Sequence, residues 1–528
     1  MPVRHVQAIF RRGSAGDRLA LHWIDGKWVD SDQHRDSINP ATGEVIGQYA
    51  NGGRKEAALA VAAALWAFRE TDWKDNRALR ARVLNGMADA FEARTPDLVH
   101  LLATENGKTI PQAQYEAAIA PLTLRHNAAL ALTESGRAAE VDADHLSMVI
   151  RQPVGVAGIV TPWNSPIALS IRSLAPALAA GATAVVMLPR QTAQVNALIS
   201  EVISETQGLP DGVVNIFTSG REGVQFLVES PDVPVISFTG STSTGRAISA
   251  AGAPHLKQFG LELGGKTPMV VFDDADLDAA VAKITEGLIV FAGQFCMTGS
   301  RVIVQRGIAN RLREALAERL KNVKVGPASN PGSEMGPLID KANVQRVDRM
   351  VQEAISAGAR IVVRGGPITA GPLARGAFYR PTLLEVTDSD LPIVQKEVFG
   401  PVLTMQTFAT ENEAVELANH SEYGLAASIW SRDIDRPLRV ARAIEAGTIW
   451  INNWAVLHDL FEEGGFKQSG KGRLRGMAAL EDFLEYKHIA FTPGKVEPGS
   501  AARKKVRTFN EWRDARRKTF SLFGKFND

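Results

Sequence analysis

From residue 154 onward the chain alternates short β-branched runs with helical stretches, and this alternation restricts it to an α/β architecture. VGVAGIV (154–160), TAVVML (183–188), VVNIF (213–217) and VPVISF (233–238) are each bounded by Gly, Pro or Asn, with helical spacing over 192–206 and 222–229 between them. The runs are predominantly apolar, as expected for parallel strands covered on both faces. The pattern resumes later with helices over 308–322, 342–357, 411–419 and 435–446, and strands over 359–363, 426–430 and 448–452. Two α/β domains are therefore expected, with a boundary near 260–266. The preceding section differs: 55–70 and 80–105 are rich in Ala and Leu at helical spacing, so it is expected to be mainly helical. A length of 528 residues exceeds the usual size of one core.

Charge and hydropathy exclude several classes of function. A net charge of +1 argues against a general nucleic-acid binder. The most apolar stretch, LAPALAAGATAVVML (174–188), is shorter than the ~18 residues a membrane span needs and contains Pro176. The N-terminus lacks the apolar block of a secretory signal. Its arginines and scarce acids suit a transit peptide weakly and a plain arm better, so the expected location is cytoplasmic.

Cys296 is the only cysteine, which excludes an intramolecular disulfide and fits a reducing compartment. An inert buried thiol is one reading, and a catalytic nucleophile is the other. A nucleophile needs an oxyanion donor and, for hydrolysis of an acyl group, a base. Asn164 in TPWNSP, Glu262 in LELGGK, and Glu397 with Phe399 in KEVFGPV offer such parts. Taken singly, each is equally a turn cap, a solvated Glu or a helix terminus.

Taken together these motifs resemble the aldehyde dehydrogenase family, from IDGKWVD (24–30) to about residue 491. The matching stretches are PVGVAGIVTPWNSP with LAPALAAGAT, FTGSTSTGR (238–246), LELGGK, GQFCMTGSR, EVFGPV, YGLAAS and GGFKQSGKGR. The resemblance implies an aldehyde dehydrogenase-like fold: a Rossmann-type cofactor domain (23–132 and 153–262), an α/β catalytic domain (263–481) and a small β oligomerisation element (133–152 and 482–494). An arm (1–22) and a basic-aromatic extension (495–528) flank these. It also implies Cys296 as nucleophile, Glu262 as base for deacylation, and Asn164 with the Cys296 N–H as oxyanion site. Glu397 would hold the nicotinamide ribose and Phe399 would pack near the nicotinamide. Gly240, Ser241 and Gly245 would open the helix over which a pyrophosphate lies, and Thr161, Pro162, Trp163 and Gly264 would complete the NAD(P) site. No metal site is implied. The implied chemistry is thiolate attack on an aldehyde, hydride loss to nicotinamide, and hydrolysis of the thioester to a carboxylic acid.

The chain departs from the family pattern at both ends of the site. Met187 stands where relatives carry a ribose-binding Lys, and Arg190 where they often carry Glu. Arg190 would pair with a 2′-phosphate, which tilts the expectation towards NADP. Arg190 pointing into solvent is the other reading. Ser173 replaces another frequent Lys. The expected substrate pocket comprises Ser165, Leu169, Arg172, Phe295, Met297, Leu457 and Glu463, with His458 nearby; Ser165, Arg172 and Glu463 stand where aromatic residues are common. Arginine at 172 binds a substrate carboxylate in semialdehyde dehydrogenases and occurs in some aromatic-aldehyde enzymes, but the second arginine of the former is Val290 here. Arg172 either pairs with Glu463 in an inert wall or helps bind a polar, anionic or aromatic substrate.

Residues 495–528 exceed the family pattern. Phe509, Trp512, Phe520, Phe523 and Phe526 alternate with Arg513, Arg516, Arg517 and Lys518. Docking on the oligomer itself is expected, with an anionic polymer or membrane as the alternative. The resemblance implies a homodimer or homotetramer. Alternatives to the dehydrogenase are an idle binding protein on the same fold, supported by Met187, and a cofactor-independent thioesterase.

Overall fold

The computed structural model describes residues 18–142, 144–494, 508–511 and 513–514. Trp512, Phe520, Phe523, Phe526 and the basic residues at 516–518 lie outside the described residues, as does most of the N-terminal arm. Chain contacts divide the molecule into two units. One spans Arg151–Glu485 together with the chain up to Glu134, and the other joins Ser135–Ile150 to the chain from Tyr486 on.

The first unit carries two large sheets. One has the order Gly470–Lys471, Gln258–Glu262, Val235–Thr239, Val156–Val160, Thr183–Pro189, Val214–Ser219, His22–Ile24, Lys27–Val29. Its five central strands are parallel. Along the chain the sheet grows from Val156–Val160 in one direction, then reverses to add Val235–Thr239 and Gln258–Glu262 on the other side. The reversal leaves a crevice beyond the carboxyl ends of Val156–Val160 and Val235–Thr239, the usual place for a ligand in such a sheet.

Both edges of this sheet are antiparallel, which the apolar runs did not indicate. The N-terminal edge is a tight hairpin pairing Trp23 with Trp28 and Ile24 with Lys27. Its two-residue turn, Asp25–Gly26, has φ of 53° and 69°, the conformation an Asp-Gly pair adopts cheaply. The helical section also differs from one continuous stretch over 80–105. Helix Arg77–Ala93 stops at Arg94 and helix Thr95–Glu105 begins with Pro96 in its first turn, where a missing N–H costs nothing.

The second sheet has the order Arg360–Val363, Thr382–Glu385, Val402–Phe408, Arg301–Gln305, Pro268–Val271, Ala426–Trp430, Thr448–Ile451. Only its Arg360–Val363 edge is antiparallel. The chain passes between the sheets at Leu263–Thr267, so Glu262 ends one sheet and Pro268 starts the other.

Helix Pro166–Ala180 links two central strands of the first sheet and is buried along its whole length. Proline at its start and Gly181 at φ 100° after its end set its limits. The second unit contains most of a three-stranded sheet, ordered Leu484–Phe491, His145–Pro153, Arg137–Asp142. Its strand Arg137–Asp142 is exposed throughout, with Val141 at 69%. Among the described residues no helix is long and apolar enough to cross a membrane.

Candidate active site

The crevice at the strand reversal is lined by the segments that follow three adjacent strands. Thr161–Asn164 leaves Val156–Val160, Gly240–Ser241 leaves Val235–Thr239, and Leu263–Gly264 leaves Gln258–Glu262. Thr239 and Glu262 are register partners, so their side chains belong to one level of the sheet. Cys296 comes from the other sheet, on the loop between helix Leu277–Ile289 and strand Arg301–Gln305. A Cβ on Gly265 would lie 2.4 Å from the Cys296 carbonyl oxygen, so glycine there lets the cysteine loop close on the crevice. Phe291 and Ala292, at φ 48° and 56°, bend that loop in a region non-glycine residues seldom occupy.

A cavity of about 310 Å³ results, and it brings together Trp163, Asn164, Leu169, Glu262, Cys296, Glu397 and Phe399. The Asn164 amide donates to the Gln294 carbonyl at 3.0 Å, leaving its second N–H free for an oxyanion. Gln294 is fixed in turn, accepting from the Ile339 N–H and donating to the Phe291 carbonyl, both at 2.9 Å. The oxyanion role expected for Asn164 predicts that Asn164→Ala lowers kcat by about 10²–10³, the usual effect of losing one oxyanion donor, with a modest fall in melting temperature from the lost bond to the buried Gln294 carbonyl. Steady-state kinetics and a thermal melt check this.

Two carboxylates, Glu262 and Glu397, line the cavity with the thiol, and a third, Glu463, acts on it electrostatically. Glu262 is buried and its Oε1 has no partner among the described residues. Burial pushes its pKa up to about 8, with Arg172 pulling against that and Glu463 adding to it. Burial also drives the Cys296 thiol above its ordinary range, opposed by Arg172 and reinforced by Glu463, Glu397 and Glu262. The resting thiol is therefore protonated at neutral pH. Glu397 accepts from the Gly265 N–H at 3.2 Å and is pushed up to about 7, mainly by burial. Phe399, at φ 51°, meets the Trp163 ring edge-on at 5.5 Å.

Ser241 caps helix Thr242–Gly252 by accepting from the Thr244 N–H at 3.3 Å. Gly245 sits one turn further along, where a Cβ would come within 2.6 Å of the Leu263 side chain. Glycine there lets the helix sit directly on Leu263. Met187 packs in an apolar cluster with Val160, Val185, Phe217 and Phe238 and presents no polar group. Arg190 is half-buried over Gly220, where a Cβ would lie 2.5 Å from its guanidinium carbon. Its Nε is buried without a partner among the described residues, unlike a side chain that simply points into solvent. Ser173 accepts from the Ser237 hydroxyl at 3.1 Å.

The residues expected to form the substrate pocket separate. Phe295 and Leu457 line a second cavity of about 550 Å³ with Tyr115, Phe291 and Trp454. Phe295 meets Phe291 and Trp454 edge-on at 5.9 and 5.8 Å. Met297 differs from expectation: it is fully buried in the core of the second sheet, and its carbonyl accepts from the Trp454 indole. Ser165 also differs, being the buried residue that precedes helix Pro166–Ala180. Arg172 and Glu463 line neither of these two cavities. They form a buried pair at 2.5 Å, each 3% exposed at the side chain.

Several site residues were not singled out from the sequence. Asn343 and Arg346, on helix Lys341–Ser356, line the cysteine cavity, and Arg346 donates to the Phe399 carbonyl at 3.4 Å. Lys108 is fully buried and donates to the Asn164 carbonyl and, at 2.6 Å, to Asn106 Oδ1. It pairs with Glu116 at 3.1 Å, and Glu116 accepts from the Ile167 N–H at the start of helix Pro166–Ala180. Lys266 is buried beside Glu397, and burial takes its pKa down to about 7. A lysine in NGK or LELGGK gives no signal in the sequence that distinguishes it from a solvated one.

A thiol, a side-chain amide and a buried carboxylate thus meet in one crevice between two α/β sheets. The aldehyde dehydrogenase family model matches residues 28–489. Betaine aldehyde dehydrogenase from Bacillus subtilis is 37% identical over 475 residues, 88% of this chain and 96% of that protein. The mitochondrial succinate-semialdehyde dehydrogenase of Arabidopsis thaliana is 36% identical over 471 residues, 88% of each. Among solved structures, an NAD-dependent aldehyde dehydrogenase from Sinorhizobium meliloti superposes with a TM-score of 0.88 at 35% identity, covering 92% of this chain and 97% of that one. Betaine aldehyde dehydrogenase from Staphylococcus aureus in complex with NAD+ gives 0.88 at 34% identity, covering 91% and 97%. The chain belongs to the aldehyde dehydrogenase family, whose reaction is aldehyde oxidation.

Proposed function

We propose that this protein oxidises an aldehyde with an aromatic or apolar body to its carboxylic acid, using NAD(P)+ and hydrolysing a thioester on Cys296. The observation that carries this reading is the convergence of Cys296, Asn164 and Glu262 on one cavity. The Cys296 thiol gives its proton to water as the sulfur attacks the aldehyde carbon, and the Asn164 amide with the Cys296 N–H holds the oxyanion that forms. Glu262 then takes a proton from the water that cleaves the thioester.

The chain's residues fit a nicotinamide dinucleotide. Gly264 forms a wall so close to Glu397 that a Cβ would lie 2.7 Å from Glu397 Oε2, which leaves the carboxylate facing the cavity. Gly240 and Ser241 offer the open start of a helix to a pyrophosphate. Glu397 would hold the ribose, while Phe399, Trp163, Pro162 and Thr161 would enclose the nicotinamide. When bound, the cofactor supplies the hydride acceptor. At the adenosine end the positive charge of the half-buried Arg190 favours a 2′-phosphate and supports NADP, and the apolar Met187 offers no competing ribose anchor.

The substrate class rests on the second cavity, whose Phe291, Phe295 and Trp454 suit a flat apolar group. The mutual pairing of Arg172 and Glu463 weighs against a carboxylate clamp. The exposed strands Arg137–Asp142 and Leu484–Phe491 would pair subunits in a homo-oligomer. The test is reduction of NAD+ and of NADP+ by purified protein over aromatic, aliphatic and carboxylate-bearing aldehydes. The reading expects the highest kcat/KM for aromatic aldehydes with NADP+. A preference for carboxylate-bearing aldehydes overturns the substrate class, and failure of both cofactors to bind returns the idle fold.

A further inference from the structure

Behind Glu262 the chain builds a run of buried charges that the proposed reaction does not use. Arg172 Nη1 pairs with Glu463, and its Nη2 donates to Thr239 Oγ1 at 3.1 Å. Thr239 is the register partner of Glu262, so the guanidinium is anchored one strand from the base. The second oxygen of Glu463 accepts from Arg475 Nε at 2.7 Å. Arg475 also pairs with Asp459, whose Oδ1 accepts from the Thr123 hydroxyl at 3.2 Å. Both Arg172 Nε and Glu262 Oε1 are buried without partners among the described residues.

Such a network is a poor device for stability alone. Buried ion pairs lose in desolvation about what they gain in attraction, and apolar replacements of similar volume are often neutral or better. Its location suggests a different use. We propose that Arg172 is a positioning residue for Glu262: its charge, offset by Glu463, favours the carboxylate form of the base, the form that takes a proton from water. This rests on Glu262 being the deacylation base.

The charged groups acting on Glu262 come from several elements. Arg172 on helix Pro166–Ala180 and Arg473 in the 464–473 segment favour its anion, while Glu463 and Asp482 oppose it. Cys296 and Glu397 line the same cavity. Arg172 and Glu463 therefore act on the same carboxylate with opposite signs.

The test is the pH dependence of the steady-state rate that follows the first turnover, measured for the wild type, Arg172→Met, Arg172→Lys and Glu463→Gln. Arg172→Met should move the acid limb to higher pH, and Glu463→Gln should move it to lower pH, each by roughly one unit. Arg172→Lys should restore the wild-type limb. Limbs that stay put, or that move in the same direction, overturn the proposal. If Arg172→Met does not fold, Glu463→Gln still decides by its direction. Glu262→Gln, run alongside, separates the two levels. Undiminished turnover in that variant removes the base assignment, whereas its stalling beside unmoved limbs in the others removes only the role of Arg172.

Discussion

A Glu262→Gln enzyme should release about one equivalent of reduced nicotinamide per active site and then stall. Cys296 and Asn164 remain, so the aldehyde is still attacked and oxidised. The thioester then waits for a water that no group activates, and loss of such a base costs about 10²–10⁴ in rate. Stopped-flow absorbance should show the burst, and the intact mass of the stalled protein should show an acyl group on Cys296. The sign of the pH dependence follows from the same carboxylate. Its pKa is raised to about 8 by burial, so the basic form is scarce at neutral pH and grows as pH rises. Wild-type deacylation should therefore climb through that region and level off above it, while the residual rate of the Gln variant should lack this limb. Full multiple turnover by the variant would show that water is activated by another group.

The framework was legible because its signals are local. The runs ending at 160, 188, 217 and 238 fold as central strands, since a largely apolar run of that length is buried on both faces between helical layers. Parallel strands ending together also explain why dispersed motifs meet. TPWNSP, FTGSTSTGR and LELGGK each begin where a strand stops, and the sheet order brings those ends side by side. What the sequence left open was decided by direction and distance. Phe295 and Met297 flank the cysteine symmetrically in the chain, yet one reaches a cavity and the other the core. Arg172 and Glu463 lie 291 positions apart, and both of their readings were open until the fold set them in contact. Arg346 sits on a helix whose other face is apolar, so its sequence spacing is that of any solvated arginine. The Trp23–Trp28 hairpin was missed for a different reason: three-residue strands carry too little periodicity, although Asp25–Gly26 marks the turn.

Cys296→Ala should abolish aldehyde oxidation, lowering kcat by at least about four orders of magnitude while leaving cofactor binding and thermal stability intact. The argument concerns both the sulfur and its surroundings. Burial and three neighbouring carboxylates hold the thiol protonated, so reactivity at rest is low and depends on pH. Alkylation by iodoacetamide should accordingly accelerate as pH rises through neutrality without reaching a plateau there. Because this is the chain's single cysteine, the modification reports on one atom, and its stoichiometry is one per chain. Alkylation and loss of oxidation should run in parallel, and the Ala variant should neither react nor turn over. The outcome also discriminates among mechanisms on this fold. An enzyme that hydrolyses thioesters by direct attack of water would keep its activity without Cys296, whereas one that passes its acyl group through sulfur loses both oxidation and ester hydrolysis together. Retained oxidation in Cys296→Ala would leave no covalent intermediate in the reaction and would leave Glu262 without the thioester it is placed to resolve.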